Sequence, residues 1–213
     1  MRIVLLGAPG SGKGTHASRL SLEKNWPNIS TGDILRQNLK EETTIGKKAK
    51  DYMEKGKLVP DDLIIDLVKN RISLSDCRDG FILDGFPRTI IQAEKLDLLL
   101  KEKDIKLDKI IELKVSLDVI IDRMTGRLSC NSCGAIYHKK HMKPKVEGIC
   151  DKCNNELSVR SDDNIDTIKK RYSVYESQTM PLIDYYNKNN NLVVVNGAQG
   201  SPDIVYNNII EFL

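Results

Sequence analysis

The nine residues Gly7 to Thr15, GAPGSGKGT, constrain this chain more than any other stretch. They follow Arg2 to Gly7, RIVLLG, a short apolar run that reads as a strand buried on both faces. They lead into Lys13 to Lys24, which reads as a helix. A strand, a glycine-rich turn and a helix in that order bring backbone N–H groups and the positive end of a helix dipole to one point, a cradle for phosphate oxygens. The stretch holds the G-x-x-x-x-G-K core of a phosphate-binding loop, so Gly10, Ser11, Gly12, Lys13, Gly14 and Thr15 are candidate phosphate residues, with Lys13 supplying a charge for β- and γ-phosphates. Gly14 stands where Ser or Thr is usual and the hydroxyl comes one residue later, at Thr15, which weakens the usual assignment of a magnesium-binding hydroxyl. A glycine-rich turn without a ligand is the bland alternative.

Three more apolar runs read as buried strands: Phe81 to Gly85, Asp108 to Val115 and Asn191 to Gly197. Helical stretches lie between them: Asp61 to Ile72, opened by Pro60 and two acidic residues, Thr89 to Lys103, and a long charged one from Asn164 to Asn189 with a break at Pro181. Strands alternating with helices predict an α/β fold, a parallel sheet flanked by helices. Two stretches are too long for ordinary connections. Residues 30–59 read as a helical insertion and 126–163 as short strands and turns. The core is then expected to be 1–29, 60–125 and 164–213, carrying two small subdomains.

The second insertion holds four of the five cysteines. Cys130, Cys133, Cys150 and Cys153 follow C-x2-C-x16-C-x2-C, a zinc-ribbon spacing. Four thiolates fill a tetrahedral shell, so the metal would be structural, and a subdomain this small has too little core to fold alone. A redox dithiol, a disulfide pair and a four-iron cluster are the competing readings. With four cysteines at hand, His138 and His141 read as non-ligands, and Cys77 as a packing residue.

Net charge is +3, with lysines interleaved with Asp and Glu, and aromatic residues make up 5%. That is a weak basis for nucleic-acid binding. No stretch approaches a membrane span, and the N-terminal run lacks a signal peptide's length and cleavage site. The expectation is an intracellular, cytoplasmic protein with reduced thiols, binding neither nucleic acid nor membrane.

Phosphoryl transfer needs phosphates held in line, charge neutralised and water excluded, so its sites are rich in arginine. Arg36, Arg88, Arg123, Arg127, Arg160 and Arg171 fall in or beside the motifs, whereas none of the three histidines sits in a nucleophile–base pattern. Asp84 ends a buried strand where open α/β sheets bind ligands, placed to hold a magnesium water shell; a loop-capping Asp is the alternative.

With GAPGSGKGT, STGD (Ser30 to Asp33) and DGFPRT (Asp84 to Thr89) in order, the chain resembles the adenylate kinases over its whole length, and with its cysteines the long-lid, zinc-containing bacterial type. The resemblance implies reversible, magnesium-dependent transfer of the ATP γ-phosphoryl group to AMP, giving two ADP, a role in nucleotide homeostasis, and a monomer. It implies a catalytic set of Lys13, Arg88, Arg127, Arg160, Arg171 and Asp84. It places Arg36 and Arg88 on the AMP phosphate with Gly85, Phe86, Pro87, Arg160 and Arg171 nearby. Thr31, Lys57, Leu58, Val59 and Gln92 would surround the AMP adenine. Arg123 would stack on the ATP adenine and Arg127 contact its phosphates, with Ile136, Tyr137 and Gln199 also on ATP. Asp162 and Asp163 would tie the closed insertion to the arginines. Leu128 departs from the family, many of whose members carry a further arginine there.

Thr31 and Gln92 favour adenine as the acceptor base over guanine and pyrimidines. Two other classes compete. A zinc-ribbon nucleic-acid binder would need aromatic residues in the insertion, where Tyr137 stands alone. A nucleotide-dependent switch would need a guanine-reading N-K-x-D motif and a water-positioning glutamine, and neither is evident.

Overall fold

The computed structural model describes residues 1–188 and 191–213. Its centre is a sheet of five parallel strands, β1 (Arg2–Leu6), β2 (Asn28–Ser30), β3 (Phe81–Asp84), β4 (Lys109–Lys114) and a last strand Leu192–Asn196, in the order β2, β3, β1, β4 and the last. The central strands β1, β3 and β4 are buried on both faces, which is why they are mostly apolar instead of alternating. Val4, Leu6, Phe81 and Leu83 pack on one side, and Ile3, Leu5, Ile82, Ile111 and Leu113 on the other.

Helices cover the two faces. On the first side lie α4 (Asp61–Ile72), α5 (Ile90–Glu102) and α8 (Pro181–Asn187), through Val68, Leu96 and Leu182. On the second lie α1 (Lys13–Lys24) and α9 (Pro202–Ile210), through Leu20 and Ile209. Two more helices, α6 (Leu117–Thr125) and α7 (Ile165–Val174), pack Ile120, Met124 and Ile168 in a smaller cluster. The register sets Ser30 and Leu5 level with Asp84 on either side of β3, so the site begins at the carboxyl ends of these strands.

Between β2 and α4 the chain forms a helix pair, α2 (Thr31–Lys40) and α3 (Thr44–Glu54), capped by the Ser30 and Thr43 hydroxyls, which accept from Asp33 N and Gly46 N. Between α6 and α7 lies a three-stranded antiparallel sheet, β5 (Arg127–Cys130), β6 (Ile136–His138) and β7 (Leu157–Ser158), with β5 central. The last core strand is β8.

Two details differ from the sequence reading. A fifth strand, β2, lies at the sheet edge where only a connection was expected; three residues carry too little pattern to be seen. The long C-terminal helix is interrupted by a π-type turn at Tyr175–Thr179 before Pro181 opens α8, and its expected end at Asn189 lies outside the described residues.

Candidate functional site

The loop after β1 is shaped by glycines with positive φ. Gly10 (φ 79°) and Gly12 (φ 102°) adopt backbone that L side chains rarely take, and a Cβ on Gly10 would lie 2.7 Å from Met124 Cγ. Gly12 sits at the N-cap of α1, so the free N–H groups of the helix face the loop's interior. Lys13 Nζ donates to Gly7 O (2.7 Å), Ala8 O (2.9 Å) and Ser11 Oγ (3.4 Å). Burial pushes the Lys13 ammonium down to about 8, against the attraction of Asp84. Burial likewise raises Asp84, against Lys13. A Cβ on Gly14 would come within 3.3 Å of Asp84 Oδ2, a tight contact that the carboxylate would relieve only by shifting a few tenths of an ångström.

Across the cleft, Thr89 Oγ1 caps α5 by accepting from Gln92 N (3.1 Å). Gln92 is 1% exposed, and both ends of its amide are engaged. Its Oε1 accepts from Arg88 N at 2.8 Å, and its Nε2 donates to Asp61 Oδ1 at 2.7 Å. The network therefore sets which way the amide points. Thr31 Oγ1 and Arg88 Nε both donate to Gly85 O, at 2.9 and 2.7 Å, and Thr179 Oγ1 donates to Arg88 O at 2.8 Å. Arg36 pairs with Asp33, whose carboxyl is held below its usual range; burial opposes this and Arg36 outweighs it.

At the edges of the β5–β7 sheet, Arg127 forks onto Asp163, whose side chain is fully buried, and Arg171 pairs with Asp162. Arg88 and Arg160 form no ion pair among the described residues. Burial brings each guanidinium down to about 10, helped by Arg171 for Arg88 and by Arg36 and Arg127 for Arg160. The halves meet in a cavity of about 680 Å3. Among the described residues, its wall carries eight cationic side chains (Lys13, Arg36, Lys57, Arg88, Arg123, Arg127, Arg160, Arg171) against four carboxylates (Asp33, Asp84, Asp122, Asp162). A cleft with that imbalance is built for a highly charged anion.

The cysteine sulfurs of Cys130, Cys133, Cys150 and Cys153 lie within 4.8 Å of one another, with Cys130–Cys153 at 3.4 Å and Cys133–Cys150 at 3.5 Å. Zinc–sulfur bonds of about 2.3 Å in a tetrahedron put sulfurs about 3.8 Å apart, so the donor set and its size fit that ion. Hydrogen bonds from Asn155 lower Cys153 to about 6, while burial raises Cys133 to about 12. The packed residues around them are few: Leu128, Ala135, Tyr137 and Leu157.

Most residues singled out in the sequence line this cavity: Gly10, Gly12, Lys13, Gly14, Thr15, Arg123, Arg127, Ile136 and Tyr137 toward one end, and Thr31, Arg36, Lys57, Leu58, Val59, Asp84, Gly85, Pro87, Arg88, Gln92, Arg160 and Arg171 toward the other. Ser11 is buried within the loop, and Phe86, 1% exposed, packs in the main core. Gln199 does not line the cavity; it sits in a turn beside it, its N donating to Asn196 O at 3.3 Å, while Gly197, Gly200, Ser201 and Pro202 form the wall. Tyr137 turns its hydroxyl away from the cleft, toward Cys150 Sγ (3.6 Å) and Asp151 N (2.8 Å). Sequence reasoning missed His16, Asp61 and Val205. Of these only His16 carried a signal, sitting one helical turn beyond Gly12.

A family model described as adenylate kinase matches residues 5–191. Among curated relatives, the adenylate kinase of Caldicellulosiruptor bescii is 54% identical over 203 residues, covering 95% of this chain and 94% of that protein. That of Acetivibrio thermocellus is also 54% identical over 203 residues, with the same coverage. The adenylate kinase of Clostridioides difficile is 50% identical over 213 residues, covering 100% of this chain and 98% of its own.

Proposed function

The chain belongs to the adenylate kinase family and is an enzyme of phosphoryl transfer between ATP and AMP; we propose how its residues divide that work. The ATP phosphates lie on the N–H groups of Gly10 to Thr15, with Lys13 swinging from the Gly7 and Ala8 carbonyls onto them. Arg123 stacks beside the ATP base, and Arg127 holds its phosphates, aimed by Asp163. Arg36 and Arg88 grip the AMP phosphate, facing the loop across the same cavity. Arg160 and Arg171 close on the group in flight.

The acceptor oxygen and the leaving oxygen then lie in line, and the reaction needs no protein nucleophile. Magnesium bound with ATP neutralises charge on the phosphate oxygens, and Asp84 with Thr15 are the residues that would hold its water shell. Burial disfavours a lone carboxylate at Asp84, which suits a group made to face a dication. Closing the β5–β7 sheet over ATP and the α2–α3 pair over AMP excludes water and so suppresses hydrolysis.

Gln92 supports adenine as the acceptor base. Its amide has one N–H and one lone pair left after Arg88 and Asp61 are satisfied, and their orientation is already fixed. Oε1 then accepts from the 6-amino group while Nε2 donates to N1. Guanine presents the opposite order, an acceptor at C6 and a donor at N1.

The four cysteines hold a structural zinc, supported by their tight sulfur cluster and the small packing core around it. The protein works in the cytoplasm, supported by its thiol set, which needs a reducing compartment, and as a monomer, as its family resemblance implies. The near-balanced charge argues against nucleic-acid partners. Among the described residues no helix is long and apolar enough to cross a membrane.

The observation that carries these assignments is the single cavity joining the phosphate loop to Arg88 and Gln92, with eight cations on its wall. A coupled assay across AMP, GMP, CMP and UMP with magnesium and ATP tests them. AMP is the expected acceptor, and no transfer to any monophosphate would refute the assignment.

A further inference from the structure

Phosphate binding leaves the imidazole of His16, on α1, unused. His16 is 5% exposed, and among the described residues its imidazole has no hydrogen-bond partner, although it faces the cavity. Its ring nitrogens are not sealed in packed protein but open to the cavity, where they are free to meet a ligand.

The ring is held in place. It stacks on Tyr206, centroids 6.2 Å apart at 19°. Tyr206 lies under the Arg19 guanidinium at 3.8 Å, and its hydroxyl donates to Glu23 Oε2 at 2.6 Å. On its other side, His16 Cδ2 and Nε2 lie 3.5 Å from the point a Gly12 Cβ would occupy, and Arg123 Nη1 comes within 4.0 Å of that point. Arg123 is itself tied down, donating to Ser11 O (3.2 Å) and Gly197 O (2.8 Å). His16 and Arg123 therefore meet just outside the phosphate loop, with Gly200 to Pro202 opposite.

Burial first, then Arg123 and Arg19, push the imidazole down to about 4, so it is neutral at ordinary pH. A neutral ring offers one donor and one acceptor and is poorly suited to a phosphate. Next beyond the phosphates of a nucleotide on this loop comes the sugar. We propose that His16 binds the sugar of the phosphoryl-donor nucleotide, its imidazole hydrogen-bonding a ribose hydroxyl. The inference rests on the placement of ATP on Gly10 to Thr15 and Arg123.

The test compares ATP, 2′-deoxy-ATP and 3′-deoxy-ATP as donors at saturating AMP, for the wild type, His16→Phe and His16→Gln. The phenyl ring keeps the stack on Tyr206 and removes both nitrogens. The wild type is expected to favour ATP over one deoxy analogue by about threefold to tenfold in kcat/KM, the worth of one neutral hydrogen bond. His16→Phe should abolish that preference through KM for ATP, with kcat and KM for AMP within about twofold, and His16→Gln should restore part of it. A wild type indifferent to both hydroxyls overturns the proposal whatever the variants do. So does a His16→Phe that keeps the full preference, or one that changes only the ratio of ATP to GTP, which would place the ring on the base. Direct binding of the same three nucleotides separates this from the assignment it rests on. A protein that binds with the hydroxyl preference but transfers nothing sinks the kinase reading and leaves His16 standing, while transfer without the preference does the reverse.

Discussion

Replacing Gln92 with methionine removes two hydrogen bonds while nearly preserving volume and length. The first loss leaves the partly buried Arg88 N–H, now 2.8 Å from Oε1, without a partner, at a cost of about 1–3 kcal/mol. The second frees Asp61 Oδ1, a charge-assisted bond of about 1.5–3 kcal/mol in full. Asp61 is only half-buried and keeps the Thr89 hydroxyl at 3.2 Å, so water recovers part of this. The loss then totals about 3 kcal/mol, or about 6–12 °C in Tm for a chain of this size. Thermal unfolding of the ligand-free protein by circular dichroism reads it. KM for AMP should rise and selectivity for AMP over GMP should fall, with KM for ATP within about twofold. A Tm drop below about 2 °C would mean that the amide is not locked in this network, and the argument for adenine from its fixed orientation would go with it.

Three further outcomes follow from other parts of the molecule. The Lys13 pKa lies near 8 in the fold and 10.5 in the unfolded chain, so between those values the unfolded state binds the extra proton and stability at this position rises with pH. Relative to Lys13→Met, the ligand-free wild type should therefore gain on the order of 3 kcal/mol from pH 8 to 10.5, and a difference flat across that window in denaturant titrations would refute the buried ammonium. Metal analysis should find one zinc per chain, and chelation or Cys150→Ser should lower the unfolding temperature; fully active, equally stable protein without metal would overturn the structural zinc. Gly10→Ala forces a side chain to φ 79° and to within 2.7 Å of Met124 Cγ, so it should weaken ATP binding at least tenfold by calorimetry; unchanged affinity would mean that the loop yields freely.

The phosphate loop could be read from the chain because its signal is local: glycines, a lysine and the change from strand to helix lie within nine residues. Strands β1, β3 and β4 stood out because burial on both faces makes them mostly apolar, and Leu192–Asn196 by its run of valines. Strand β2 did not, since three residues at a sheet edge are specified by pairing with β3 and not by their own pattern. The π-type turn at Tyr175–Thr179 is likewise a matter of packing, with Tyr175 and Thr179 buried and no helix-breaking residue before Pro181. In the site, residue types announced the arginines, and only the resemblance, not the residues themselves, set Asp162 and Asp163 against them. Nothing in the spacing ties Asp61 to Gln92, thirty-one positions away, or Arg127 to Asp163. Gly14 was readable only as a departure, and what it faces, Asp84 Oδ2, was not legible in the sequence.

The surplus of positive charge in the cleft reaches beyond catalysis. With eight cations against four carboxylates, the cations of the wall repel one another, and Arg88 and Arg160 bear that repulsion without ion-pair partners among the described residues. The ligand-free fold is thus self-opposed at its centre, and a bound polyphosphate relieves the opposition. By mass action, nucleotide at a hundred times its dissociation constant adds about 2.7 kcal/mol to stability. A cell rich in adenine nucleotides thereby hardens this protein against heat and proteases, and a starved one softens it, so the lifetime of the enzyme becomes coupled to the pool on which it acts.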